Sequence, residues 1–214
     1  YTVKEIENDF PDLIHEVEIL LANSNTKSII KSCSLALMGI SELLEVLNPD
    51  LIIVLGDRYE IMMAAIAAML HNIPIAHIHG GEISEGSLDD KIRHSITKLS
   101  NLHFVSCKEY EKRVIQLGES PTNVFNVGAL GLDNLETLNQ LTKNEICKLL
   151  NINIELEKML MVTIHPETIK NGNSIELSKN MVSVLKNIKN TLIIWTLPNA
   201  DSSSSDMRKI IKDE

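Results

Sequence analysis

The apolar and polar positions along this chain change period several times, and each change predicts an element. Residues 51–55 form a continuous apolar run, too short for a helix and rich in β-branched side chains, which predicts a buried parallel strand. Gly56-Asp57-Arg58 follows, then a helical stretch over 59–71 with small residues at Ala64, Ala65, Ala67 and Ala68. Residues 74–78 predict a second strand, which also ends in polar, glycine-rich sequence, His79-Gly80-Gly81-Glu82. Upstream, Ile29, Ile30, Leu37, Ile40, Leu43, Leu44 and Leu47 recur at three- and four-residue spacing, a helix over 26–46 that Asn48-Pro49-Asp50 stops. Residues 3–8 read as a short helix, and 13–20 partly alternate, as an edge strand would.

The alternation continues downstream. A helix is predicted over 89–101, with Ile92, Ile96 and Leu99 on one face, and a strand over 102–105. Ser106 and Glu109 have the spacing of a capping box opening a helix through 117. A strand over 124–127 closes at Gly128; 132–138 and 143–150 read as helical, with a polar linker between them. A second round gives a strand over 159–163, a helix over 174–187 and a strand over 191–196, with Ser202 to Ser205 read as a solvated loop. Strand and helix in alternation predict an α/β fold of parallel sheets with helices on both faces. The restart near residue 150 predicts two such domains, 1–140 and 141–214, the first lacking its first strand and the second cut short. Two successive strands release polar residues at their carboxyl ends, the edge where open α/β sheets bind ligands.

Composition narrows the function. The 214 residues carry a net charge of −9, which leaves no basic stripe for nucleic-acid phosphates. Cys33, Cys107 and Cys147 are scattered, without the spacing of a metal knuckle or a disulfide framework, and point to a reducing compartment. No apolar run approaches the roughly 20 residues that span a bilayer, and no signal sequence is visible, so a soluble cytoplasmic protein is expected. The start at Tyr1 and the end within a helical pattern lead us to expect a piece of a longer protein.

Four places could hold chemistry. Asp57 is either a helix N-cap or a carboxylate held at the ligand edge beside Arg58, with Gly56 permitting close backbone approach. His77, His79 and Glu82 around Gly80-Gly81 form the densest polar cluster. A zinc site there is disfavoured, on the reading that His77 and His79 point to opposite strand faces, and the glycines fit neither the Walker nor the dinucleotide fingerprint. Acid/base work by His79 and Glu82 fits best. Asp89-Asp90 precede Arg93-His94 at spacings that also suit a helix N-terminus and surface ion pairs. His165-Pro166-Glu167 follows a strand of the second half as Asp57 follows one of the first.

Taken together, Gly56-Asp57-Arg58-Tyr59-Glu60, the HIHGGE run from His77 to Glu82, Asp89 through Leu99, Val127-Gly128, His165-Pro166-Glu167-Thr168 and Pro198-Asn199-Ala200-Asp201 resemble the hydrolysing UDP-N-acetylglucosamine 2-epimerases. The likeness covers most of the chain, in order and at compatible spacing. It implies two Rossmann-like domains around a nucleotide-sugar cleft, the glycosyltransferase-B architecture, present here as a fragment without the N-terminal nucleotide-contacting strand and the later diphosphate-binding glycine loop. It implies release of UDP with inversion at C2, giving N-acetylmannosamine on the way to sialic acid. A close branch does the same to a 2,4-diacetamido-trideoxy sugar nucleotide on the legionaminic acid route. By motif, Asp57 matches a catalytic carboxylate with Arg58 its neighbour, Asp89 or Asp90 a second acid, and His165 a cleft histidine near the diphosphate. Arg93, His94 and Glu167 fall in the substrate-binding segments. Many relatives carry a glutamate where this chain has His79, so its acid/base duty falls to His79 or Glu82.

The implied chemistry is self-consistent. No carbonyl acidifies the C2 hydrogen, so eliminating UDP across C1–C2 avoids a free carbanion, and water then adds to the glycal. A histidine or carboxylate takes the C2 proton, and Arg58, Arg93 or His165 offsets charge on the departing phosphate. The route calls for no metal and no cofactor. The expected partners are a UDP-sugar and further copies of the chain, as a dimer or tetramer. A non-hydrolysing 2-epimerase, a catalytically silent nucleotide-sugar binder and a glycosyltransferase of the same architecture are the alternatives.

Overall fold

The computed structural model describes residues 3–21, 25–133, 135, 138, 140–152, 158–165, 173–197 and 204–213. Helices α1 (Val3–Asp9) and α2 (Thr26–Leu47) lead into β1 (Ile52–Leu55), followed by α3 (Tyr59–Leu70), β2 (Ile75–Ile78), α4 (Leu88–Leu99), β3 (Leu102–Val105), α5 (Lys108–Gln116) and β4 (Val124–Asn126). Beyond them come α6 (Leu130–Asp133), α7 (Lys143–Leu149), β5 (Lys158–Val162), α8 (Asn173–Leu185), β6 (Thr191–Trp195) and α9 (Ser204–Lys212). All strand pairs are parallel, in one sheet ordered β1-β2-β3-β4 and a second pairing β5 with β6. Each parallel step needs a crossover, which α3, α4, α5 and α8 supply. The fold class is therefore α/β with parallel sheets, as the alternation predicts. No helix of the described residues is long and apolar enough to cross a membrane.

Local chemistry explains the element ends. The Asn25 side chain accepts the Ser28 N–H at 3.0 Å to open α2, and Asn48, left-handed at φ 42°, closes it. Ser87 opens α4 by accepting the Asp89 N–H at 3.1 Å. The core of the first sheet joins Leu44 of α2, Val54, Ala65, Ala67 and Ala68 of α3, Ile75, and Ile92 and Ile96 of α4. The alanines of α3 let it pack closely on both α2 and α4. Register sets Leu55 against Ile78 and Ile78 against Phe104, so the carboxyl ends of β1, β2 and β3 finish level. The residues just past those ends, Asp57, His79 and Ser106, therefore share one sheet edge.

Several expectations need correcting. The strand expected over 13–20 does not form; the segment passes α2 with the Val17 side chain close against Gly39, so packing on a helix replaces sheet pairing. β1 is buried on one face only, with Ile53 and Leu55 exposed on the other. The helix predicted over 132–138 is a single turn ending at Asp133 among the described residues. Ser204 and Ser205, read as loop, are the first turn of α9. The N-cap of α5 is Cys107, not Ser106, and that of α3 is Arg58, so Asp57 is not a helix cap.

Candidate functional site

The site begins with a buried histidine that joins two elements. His77 on β2 is fully buried. Its Nε2–H donates to the Gly56 carbonyl at 2.8 Å, and its Nδ1 accepts from the Thr97 hydroxyl at 3.2 Å. That hydroxyl divides its proton between Nδ1 and the Arg93 carbonyl, 3.0 Å away. His77 thus ties the end of β1 to α4 at the residue before Asp57. Gly56 itself is left-handed (φ 85°), a conformation that turns the chain sharply out of β1 and costs glycine little.

Arg93 of α4, 4 % exposed, is the hub. One terminal nitrogen donates to Asp57 Oδ2 and, at 3.0 Å, to Ser84 Oγ. The other donates to the Glu82 carbonyl at 2.9 Å and lies 3.7 Å from Asp90 Oδ1. Asp90 also accepts the Ser84 N–H at 2.9 Å and faces His94 Nε2 at 3.8 Å. Asp89 accepts from the Ser87 hydroxyl at 2.9 Å, at the start of the helix. The guanidinium therefore binds Asp57 and the loop after β2 into one unit, with Asp90 rather than Asp89 turned toward it. The Arg93 guanidinium is buried and its carboxylate partners are half-buried, so these are not the surface pairs that the spacing alone suggests.

The loop after β2 forms the second cluster. His79 adopts φ 65°, unusual for a residue with a side chain, while its N–H still donates to the Phe104 carbonyl of β3 at 2.9 Å. Its Nδ1 is 2.8 Å from Glu82 Oε1, and Ser106 Oγ donates to the same oxygen at 3.0 Å. The two glycines permit this turn. A Cβ on Gly80 would sit 3.1 Å from both His77 Nδ1 and Thr97 Oγ1. One on Gly81 (φ 79°) would lie 2.7 Å from the Tyr110 carbonyl oxygen. Arg113 of α5 donates to the Gly81 carbonyl and fixes the loop from its far side. A regular pleat would place residues two apart on one face. The positive φ and separate partners divide His77 from His79, not the pleat, so the expectation of opposite strand faces is corrected in its reason.

Of the remaining candidates, Arg58 reaches Glu60 at 3.3 Å and lies over the Tyr59 ring with 36 % of its side chain exposed. His165 is exposed, three residues past β5, and no hydrogen bond or ion pair among the described residues joins it to the Asp57 or His79 clusters. Glu167 and the 198–201 motif lie outside the described residues. Sequence reasoning missed Ser84, Thr97, Ser106 and Arg113. Ser106 could have been found, because it is the first residue past β3, as His79 is past β2.

His77 gives the site a pH signature. Burial, the largest cause, pushes its imidazole from 6.5 down to about 4. The folded protein then holds His77 neutral where the unfolded chain is protonated. Its contribution is complete above pH 6.5 and is lost as pH falls toward 4, amounting to about 3 kcal/mol. His77→Gln is expected to lose less stability than wild type between pH 7 and pH 4 by about that amount. Denaturant unfolding at both pH values checks this, and equal losses in the two proteins would contradict it.

Comparison with known proteins adds family and fold. A family model described as UDP-N-acetylglucosamine 2-epimerase matches residues 2–213. The chain is 40 % identical over 211 residues to the GDP/UDP-N,N'-diacetylbacillosamine 2-epimerase (hydrolyzing) of Campylobacter jejuni, covering 99 % of this chain and 54 % of that protein. It is 40 % identical over 212 residues to the polysialic acid biosynthesis protein P7 of Escherichia coli, at 99 % and 54 % coverage. The crystal structure of a Neisseria meningitidis UDP-GlcNAc 2-epimerase bound to UDP-GlcNAc superposes with a TM-score of 0.71. It does so over 91 % of this chain and 53 % of that one, at 19 % identity, a likeness of fold. The chain spans about half the length of the curated relatives it matches.

Proposed function

The chain belongs to the UDP-N-acetylglucosamine 2-epimerase family, and from that premise we propose that the protein is a hydrolysing 2-epimerase of UDP-linked 2-acetamido sugars. One observation carries the reading. Asp57, Arg93 and Asp90, together with His79, Glu82 and Ser106, gather at the carboxyl edge of β1, β2 and β3, where such a sheet binds ligands. In this reading the His79–Glu82 pair takes the C2 proton. The C1–O bond breaks, its electron pair leaves with UDP, and C1=C2 forms. Water then adds its oxygen at C1 while C2 receives a proton on the opposite face, so substrate and water give UDP and the 2-epimeric free sugar. Asp57, whose second oxygen is not held by Arg93, supplies a carboxylate to that second half-reaction. Arg58 and His165 are assigned to the diphosphate by resemblance.

The named activity of the C. jejuni relative supports UDP-N,N'-diacetylbacillosamine as a substrate to try beside UDP-N-acetylglucosamine. The test is proton NMR in deuterated water, using the full-length protein that carries this chain. Free UDP and a 2-epimer deuterated at C2 are expected from one of the two sugar nucleotides. A 2-epimer still attached to UDP would replace the hydrolysing reading with the non-hydrolysing one. Silence on both, with tight UDP binding, would leave a binding protein.

A further inference from the structure

Within the proposed reaction, which this inference takes as its basis, His79 and Glu82 need not be rivals for one role. We infer that Ser106, Glu82 and His79 form an oriented relay in which His79 Nε2 exchanges the proton, while Glu82 and Ser106 are positioning residues.

The polarity of the hydrogen bonds carries the argument. A carboxylate only accepts, so both groups that meet Glu82 Oε1 must donate to it. One is the Ser106 hydroxyl at 3.0 Å, and the other is His79 Nδ1 at 2.8 Å. With its proton committed at Nδ1, neutral His79 presents Nε2 as a lone pair. Nε2 has no hydrogen-bond partner among the described residues, and a quarter of the side chain is exposed (24 %). A carboxylate that fixes the imidazole tautomer and steadies the imidazolium is the arrangement that makes histidine an effective base.

The backbone supports the same reading. His79 keeps its ladder bond to Phe104 and then adopts φ 65°, a strained conformation that redirects the side chain toward Glu82 three residues on. The turn is held in that shape from three sides. Gly80 lies against His77 and Thr97, Gly81 against Tyr110 and Val114, and Arg93 and Arg113 hold the carbonyls of Glu82 and Gly81. Ser106 reaches Glu82 because β3 ends level with β2. Strain held by so many contacts, on the residue whose ring faces the open edge, is what a positioned base requires.

Two readouts test the relay separately from the reaction. Nitrogen-15 NMR of the His79 ring in the full-length protein, without substrate, is expected to show the Nδ1–H tautomer. The Nε2–H tautomer would overturn the inference whatever the enzyme does. In turnover assays Glu82→Gln is expected to lower kcat, by up to the roughly 10⁴-fold seen when the carboxylate that fixes a catalytic histidine's tautomer becomes an amide. KM should hold steady, and in the same ring spectrum Glu82→Ala should lose the preference for the Nδ1–H tautomer. Ser106→Ala should give a smaller loss of kcat, and Ser106→Thr should restore the wild-type rate. An Nδ1–H tautomer as dominant in Glu82→Ala as in the wild type would overturn the relay even if kcat fell, since a merely structural loss leaves it in place. If wild type turns over neither sugar nucleotide, the proposed reaction fails, and the tautomer still decides the relay.

Discussion

Asp57→Asn is expected to lower kcat by roughly 10²- to 10⁴-fold, the range for removing a group that moves a proton, with the fold retained. The amide has the shape of the carboxylate, and its oxygen can still accept from Arg93. Two things change: position 57 can no longer take up or deliver a proton, and the buried guanidinium loses its direct counter-charge. The remaining compensation is Asp90, 3.7 Å from Arg93, with the Glu82 carbonyl and Ser84 Oγ still in place. The stability cost should therefore stay near 1–2 kcal/mol, the scale of a weakened charged hydrogen bond. Steady-state kinetics alongside thermal unfolding separates the two effects. A variant with wild-type kcat would remove Asp57 from the chemistry, and one that unfolds at assay temperature would make Asp57 a structural residue.

Much of this site follows from one-dimensional pattern, and the exceptions have physical causes. Short apolar runs ending in glycine and charge announce both the sheet and its ligand edge, which is how Asp57, His79 and Glu82 are found. The Asp57–Arg93 contact spans 36 residues and no local spacing encodes it; it exists because β1 and α4 meet around His77. Ser106 shows the reverse failure. Its spacing to Glu109 satisfies the capping-box pattern, but the residue lies at the strand end, where its hydroxyl donates to Glu82, and the helix N-cap falls one residue later at Cys107. The choice between Asp89 and Asp90 is undecidable from spacing. In the structure Ser87 engages Asp89 at the helix start, leaving Asp90 one residue further round to face Arg93. The failed strand over 13–20 has the same moral: alternation needs a partner strand, and Val17 instead lies on the glycine face of α2.

Arg93→Met should have the broadest effect of any single change in the first sheet, because four acceptors depend on one buried guanidinium. Methionine fills the stem's volume, so the loss is electrostatic rather than a cavity. Asp57 and Asp90 would face each other across the site without their cation, and the Glu82 carbonyl and Ser84 Oγ would lose their donor. Breaking a fully buried pair from one side costs about 3–5 kcal/mol; the two carboxylates here keep 25 % and 30 % of their side chains exposed, so the loss should lie at or below the lower end of that range. The turn carrying His79 would also lose one of its restraints, so activity should fall with stability. Arg93→Lys keeps the charge but cannot span acceptors on both sides of a planar fork, and should fall between the two. The double variant Asp57→Asn with Arg93→Met gives the sharper test. If the two residues act as a pair, its unfolding free energy should exceed that expected from adding the two single losses, by about 1–3 kcal/mol. Strict additivity would mean that Arg93 stabilises the fold through the Glu82 loop alone, and that Asp57 is held in place by the Gly56–His77 bond without it.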